Sequence, residues 1–267
     1  MGAFLEFAFL QRALVAGILI AFSCAVLGVF LVLRRDAMIG HGLSHITFAG
    51  LALGLLVRRL PLAVAFVVAV FAAWLLVKLK SRAGLHGDTA VAVLSSGGLA
   101  LGIVLASAAR TYNAGLLSYL FGEILAISRF EVVLAAALAA GIAAVIFGLY
   151  HKLVFLTFDR ESARAAGLPV ERLDMAVTIL AAVTIVLGMR VVGILLVSAL
   201  IVVPAAAALQ VASSFRKALC LAGTAGALSV VLGLLSAYVF DLPASGAIVL
   251  VGLVLFGGAA AARRRLR

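Results

Sequence analysis

Nine apolar runs of about 20 residues follow one another along the chain, and the charges collect in the short segments between them. A run of that length spans the hydrocarbon core of a bilayer as an α-helix. Only helices and closed barrels can satisfy their backbone hydrogen bonds there. The runs occupy residues 13–33, 38–57, 62–79, 89–109, 132–149, 175–189, 191–209, 218–240 and 244–262. They predict an all-α, polytopic membrane helical bundle. With 66% hydrophobic residues, 12% charged residues and a mean hydropathy of +1.33, the composition excludes a soluble enzyme. The longest polar stretch, 159–174, is too short for a soluble domain, so residues 1–267 are read as one transmembrane domain. The first dozen residues carry neither a basic n-region nor a small-residue cleavage motif, and the first run is read as a retained span.

The sixth and seventh runs leave the number of spans at eight or nine. As one helix they would cover about 35 residues, or about 52 Å, against a core of about 30 Å. They must break near Arg190 to Gly193. Gly188 and Gly193 supply the break, and Pro204 is expected to kink or end the helix that follows.

Orientation follows from the basic residues. Placing the segments after the odd-numbered spans on one side gathers 15 of the 21 lysines and arginines there, and the positive-inside rule makes that side cytoplasmic. The C-terminus is then cytoplasmic, in a multi-pass membrane protein. The net charge of +11 becomes a matter of topology and attraction to anionic lipid, which removes the only support for nucleic-acid binding.

His41 and His45 lie one helical turn apart in the second run. Ionisable side chains inside a span are rare and face a bundle interior or a polar path. The i, i+4 spacing places both imidazoles on one helix face, where they can share a ligand or bond to neighbouring helices. If Arg35 marks the headgroups, a continuous helix puts His41 about 9 Å and His45 about 15 Å into the membrane. Imidazole nitrogen suits zinc, copper, iron or nickel better than magnesium or calcium. An intramembrane metalloprotease is disfavoured, because His41-Gly-Leu-Ser-His45 lacks the glutamate of H-E-x-x-H.

The loop after the fifth run predicts a short helix. Asp159 can cap it, Glu161 suits its first turn, Ala163 lies within it, and Gly167 with Pro169 stops it. An interfacial helix or a docking knob for a cytoplasmic partner both fit. No G-x-x-x-x-G-K-[ST] phosphate loop occurs, so the chain does not hydrolyse ATP by that route and is not read as an enzyme. Asp88 suits a helix cap, while Glu123 and Asp241 on the opposite face suit solvation or attraction of a cation. The Gly50–Gly54 and Gly98–Gly102 pairs permit close helix approach. Cys24 and Cys220 fall in apolar runs and are expected to be small core residues.

Taken in order, several segments resemble the permease subunits of bacterial ABC importers for zinc, manganese and iron. They are Leu31-Val-Leu-Arg-Arg35, Gly87-Asp-Thr89, Ser118-Tyr-Leu-Phe-Gly-Glu123, Phe158 to Pro169, Gly193 to Ala205 and Asp241-Leu-Pro243. The loop and the Pro204 span also resemble vitamin B12 and iron-siderophore permeases, which implies a related architecture. The resemblance implies a homodimer, two cytoplasmic ABC ATPase subunits and an extracytoplasmic metal-binding protein, with the helix at 159–167 as the coupling helix. It implies no permanently bound cofactor and a transported divalent metal. The family has Asp and then His four residues later on the second span. Here His45 matches the His and His41 stands at the Asp position, and this softer ligation favours zinc over manganese. Manganese, iron or iron-siderophore import and an ion-coupled secondary transporter are the alternative readings.

Overall fold

The computed structural model describes residues 8–58, 60–82, 87–109, 114–123 and 127–265. Among them are eleven helices and no strand: α1 (Ala8–Leu33), α2 (Met38–Leu56), α3 (Pro61–Arg82), α4 (Gly87–Ala108), α5 (Ala114–Phe121), α6 (Arg129–Phe158), α7 (Arg160–Ala165), α8 (Val170–Val191), α9 (Ile194–Val211), α10 (Phe215–Phe240) and α11 (Ala244–Arg265). Eight of these helices are long and apolar enough to cross a membrane. The apolar α9, with 18 residues or about 27 Å, is the shorter ninth. The chain is thus a multi-pass helical membrane protein.

The expected break between the sixth and seventh runs lies at Gly193, whose φ of 92° and ψ of 148° start α9, and not at Gly188, which lies inside α8. A side chain there meets a backbone conformation that L-residues seldom adopt. Pro204 does not act as a break. It lies inside α9, which continues to Val211. A proline within a membrane helix is tolerated where packing or local adjustment satisfies the backbone group it frees, and Pro204 is buried.

Contacts divide the chain into two compact units. One comprises Met1–Val32, Ser118–Ala140 and Leu187–Arg267, and the other comprises Leu33–Leu117 and Gly141–Val186. In the first, α9 packs on α10 and α11, and α1 approaches α9 so closely that a Cβ on Gly28 would fall 1.8 Å from the Ile201 carbonyl oxygen. In the second, α2 packs on α3 and α4. Lipid is as apolar as a helix face, so close backbone approach through small residues supplies the packing. Both glycine pairs serve this purpose. A Cβ on Gly50 would lie 2.9 Å from Ala65 Cα, and one on Gly98 would lie 2.9 Å from Ile46 Cα.

The apolar window of α1 is 72% buried, whereas those of α6 and α11 are 22% buried and leave apolar faces for lipid. Cys24 is buried as expected, but Cys220 is exposed. In a membrane helix the outward face is apolar too, so an apolar run does not identify core.

Gly97 and Gly98 provide a matched test. A Cβ on Gly97 meets nothing within 4 Å, whereas on Gly98 it collides with the Ile46 backbone. Gly98→Ala should destabilise by about 1–3 kcal/mol through overpacking. Gly97→Ala should be neutral or stabilising by up to about 1 kcal/mol through helix propensity. Thermal aggregation midpoints of the two purified variants in detergent check both.

Candidate functional site

Arg34 to Ala37 turn the chain into α2, with Arg35 at a φ of 60°. The helix starts at Met38, so Arg35 is not part of it and the continuous helix from Arg35 to the histidines does not form. His41 and His45 sit about 4.5 Å and about 10.5 Å along α2. Their Nε2 atoms are 3.0 Å apart and their rings stand nearly perpendicular, with centroids 4.5 Å apart. One ring can donate its N–H to the other, or both lone pairs can face a common ion. With metal–nitrogen bonds of about 2.05 Å, this separation subtends about 94° at a shared ion, between octahedral and tetrahedral values.

His41 is exposed and His45 half-buried, while Gly42, Leu43 and Ser44 between them are buried. The pair therefore faces away from the packing of α2 against α3 and α4. The nearby hydroxyls are buried, unlike the exposed His41 ring, with Ser44 Oγ donating to the Gly40 carbonyl at 2.8 Å and Thr47 Oγ1 to the Leu43 carbonyl at 2.7 Å. Among the described residues no group of three or more His, Cys, Asp or Glu side chains could hold a metal. Among the described residues, the His41 and His45 pair could offer an ion two nitrogens.

The short helix forms as its residues predict. Asp159 Oδ1 accepts from the Ser162 backbone N–H at 2.9 Å, and Glu161 and Arg164 complement the helix dipole at the two ends. At the C-terminal end, Gly167 adopts a φ of 79°. Its N–H donates to the Arg164 carbonyl at 3.0 Å, and Leu168 N–H donates to the Ala163 carbonyl at 3.1 Å, which together make a Schellman closure. A Cβ on Gly167 would meet open space, so the requirement for glycine is conformational. Ala163 is fully buried, whereas Arg160, Glu161, Ser162, Arg164 and Ala165 are exposed. One small side chain anchors the helix and the rest is presented outward.

Sequence reading missed the ionic contacts on both sides. Asp174, in α8, receives Arg34 Nη1 on Oδ1 at 3.2 Å and Arg160 on Oδ2, and Arg34 also donates to Thr157 Oγ1 at 3.0 Å. Lys80 pairs with Asp36. Burial pushes the Arg34 guanidinium down from its ordinary pKa, opposed by the carboxylates of Asp174 and Asp36. At the other helix ends, Arg190 Nε donates to Glu131 Oε1 at 2.6 Å, and Glu123 accepts from the Ser118 hydroxyl at 2.6 Å. No local signal marked these residues, because each lies between the apolar runs, where charge is expected whether paired or solvated. Asp88 lies in the first turn of α4, and Asp241 caps α10 in the left-handed region.

Residues 6–262 match the ABC 3 transport family. The chain belongs to that family. The ABC 3 family member is 31% identical to a chain of the solved structure "PsaBC from Streptococcus pneumoniae in complex with Fab", covering 97% of this chain and 93% of that one with a TM-score of 0.86. It is 33% identical over 253 residues to a protein of Haemophilus influenzae named as a probable iron transport system membrane protein, covering 94% of this chain and 93% of the relative. It is 30% identical over 252 residues to the manganese transport system membrane protein MntC of Halalkalibacterium halodurans, covering 94% and 86%.

Hydrogen bonds from Ser162 hold the Asp159 carboxyl below its ordinary pKa. A carboxyl lowered in the folded state stabilises above its unfolded value and loses that contribution as pH falls through the lowered one. Protection of the Ser162 and Ala163 amides, taken relative to the intrinsic exchange rate at each pH, should therefore fall on acidification below the usual aspartate range. In Asp159→Asn, which still caps but does not titrate, hydrogen-exchange mass spectrometry should show no such acid-dependent loss of protection.

Proposed function

We propose that this protein is the permease subunit of an ABC importer for a divalent metal ion, with zinc as cargo and His41 and His45 on its route. The observation that carries this reading is the imidazole pair, turned outward from its own chain within a membrane span of an ABC 3 family member. Two polar rings within a span are too costly to leave against lipid. A second copy covering them turns two nitrogens into as many as four, the number in a closed zinc shell. The permease thus acts as a homodimer in the bacterial inner membrane, with its C-terminus in the cytoplasm. Separate ABC ATPase subunits drive it, and an extracytoplasmic metal-binding protein delivers the ion.

Zinc rests on ligand chemistry. Imidazole nitrogen is a softer donor than carboxylate oxygen, and on nitrogen ligands zinc binds more tightly than manganese or iron(II). Manganese is the second reading, favoured by the relative named for manganese transport.

Metal uptake into vesicles containing the permease, its ATPase and its delivery protein tests the assignment. His45→Ala should lower zinc uptake at least about tenfold, a loss of about 1.4 kcal/mol, with His41→Ala less severe because that ring is the more exposed. His41→Asp should keep transport and shift the preference toward manganese. Zinc uptake at the wild-type rate in both alanine variants overturns the metal site. A wild-type preference for manganese overturns the choice of cargo and leaves the site standing.

The helix Arg160–Ala165 seats in the ATPase as the coupling helix, formed by Asp159, Glu161, Ala163 and Gly167. Its exposed surface and closed ends suit a preformed knob. Ala163 N–H donates to the Asp159 carbonyl at 3.1 Å, and proline would delete that bond. Ala163→Pro, or a bulky residue at Gly167, should abolish uptake while the protein still inserts and elutes as a single species. Normal uptake with normal co-purification of the ATPase refutes this role.

A further inference from the structure

The carboxylate of Asp174 is a junction between two segments that are far apart in sequence. Its Oδ1 receives Arg34 from the turn that launches the histidine helix, and its Oδ2 receives Arg160, the first residue of the short helix. The side chains of Arg34 and Asp174 are 6% and 12% exposed, so this bridge is protected from water, whereas Arg160 is 47% exposed. Charge-assisted bonds are about twice as strong as neutral ones, and screening weakens a protected pair less than a surface pair.

The turn itself is held from both sides. Arg34 donates additionally to Thr157 Oγ1, just before the short helix, and Asp36 on the far side of Arg35 pairs with Lys80. Arg35 between them has a positive φ, a conformation that costs a non-glycine residue about 1 kcal/mol or more unless its surroundings enforce it. His41 follows Asp36 by five residues. A displacement of Arg160 therefore acts on the turn through one carboxylate, and the turn sets the start of α2.

We propose that Asp174 is a positioning residue that transmits movement of the short helix to the helix carrying His41 and His45. It touches neither ATP nor metal. The inference rests on the reading of Arg160–Ala165 as the coupling helix. Without Asp174 the two guanidiniums lose their common acceptor, and the short helix can follow the ATPase without moving the turn. The signature is wasted hydrolysis: ATP turnover continues while little metal moves.

The test measures metal uptake and ATP hydrolysis together in vesicles containing the assembled complex. Asp174→Asn keeps the shape and removes the charge. Arg160→Ala cuts only the outer arm and leaves the protected Arg34–Asp174 pair, so it guards against a folding defect in the first variant. Asp174→Asn should co-purify with the ATPase and hydrolyse ATP within about twofold of wild type, with uptake per ATP reduced at least about fivefold, the lower end of typical coupling strengths. In Arg160→Ala, which lies on the docking helix itself, the ratio of uptake to ATP is the readout and should fall likewise. Asp174→Glu, which keeps the acceptor charge, should recover most of the ratio. An unchanged ratio in Arg160→Ala overturns the inference, as does a proportional loss of uptake and hydrolysis in both variants. Ala163→Pro run in parallel separates the two readings. If it transports normally, the coupling-helix reading fails. If it is inactive while Arg160→Ala keeps its full ratio, only the role of Asp174 fails.

Discussion

A backbone that crosses a bilayer must satisfy its own hydrogen bonds, because the hydrocarbon offers no partner for an N–H or a carbonyl. That demand fixes the helices, and with the hydrophobic effect largely absent between them it also fixes how they meet. Packing then depends on how closely two backbones can approach. Gly28 against Ile201, Gly50 against Ala65 and Gly98 against Ile46 are places where a single methyl would collide with the neighbouring chain. The same demand governs the polar side chains. Ser23, Ser44, Thr47, Thr184 and Ser229 each turn a hydroxyl back onto a carbonyl of their own helix.

Against that background the charged contacts fall into two sets. Arg34, Asp36, Lys80, Arg160 and Asp174 gather around the turn before α2 and the short helix, while Glu131 and Arg190 join the start of α6 to the end of α8. Water and headgroups lie near helix ends, so charge is affordable there and can hold segments whose sequence positions are distant. The long spans are left nearly free of it. The two imidazoles of α2 are a departure, and their outward direction gives them meaning in an ABC 3 family member.

Much of this was legible before any coordinate. Run length and hydropathy predict the helices, because a membrane span is a property of about twenty consecutive residues and not of distant partners. The caps at Asp159 and Gly167 were equally readable, since capping is chemistry within a few residues. Gly193 announced its break through the excess length of the combined run, whereas Pro204 misled, because whether a proline ends a helix depends on the packing around the group it frees. The turn before the histidine helix escaped notice for a similar reason: the positive φ of Arg35 is not written in its side chain. Asp174 escaped notice because nothing local distinguishes an aspartate in the first turns of a helix from a solvated one. Its two arginines lie 140 and 14 residues away.

The sparse donor set on α2 bears on speed. A conduit differs from a buffer in how soon it lets go, and an ion's residence time lengthens with every further ligand that must be broken before it leaves. On the proposed route each copy of α2 supplies only two nitrogens, 3.0 Å apart, so a shared shell of four would fall to two whenever the copies part, and a passing cation would have little to cling to. Such a shell would make a poor store and a fast step.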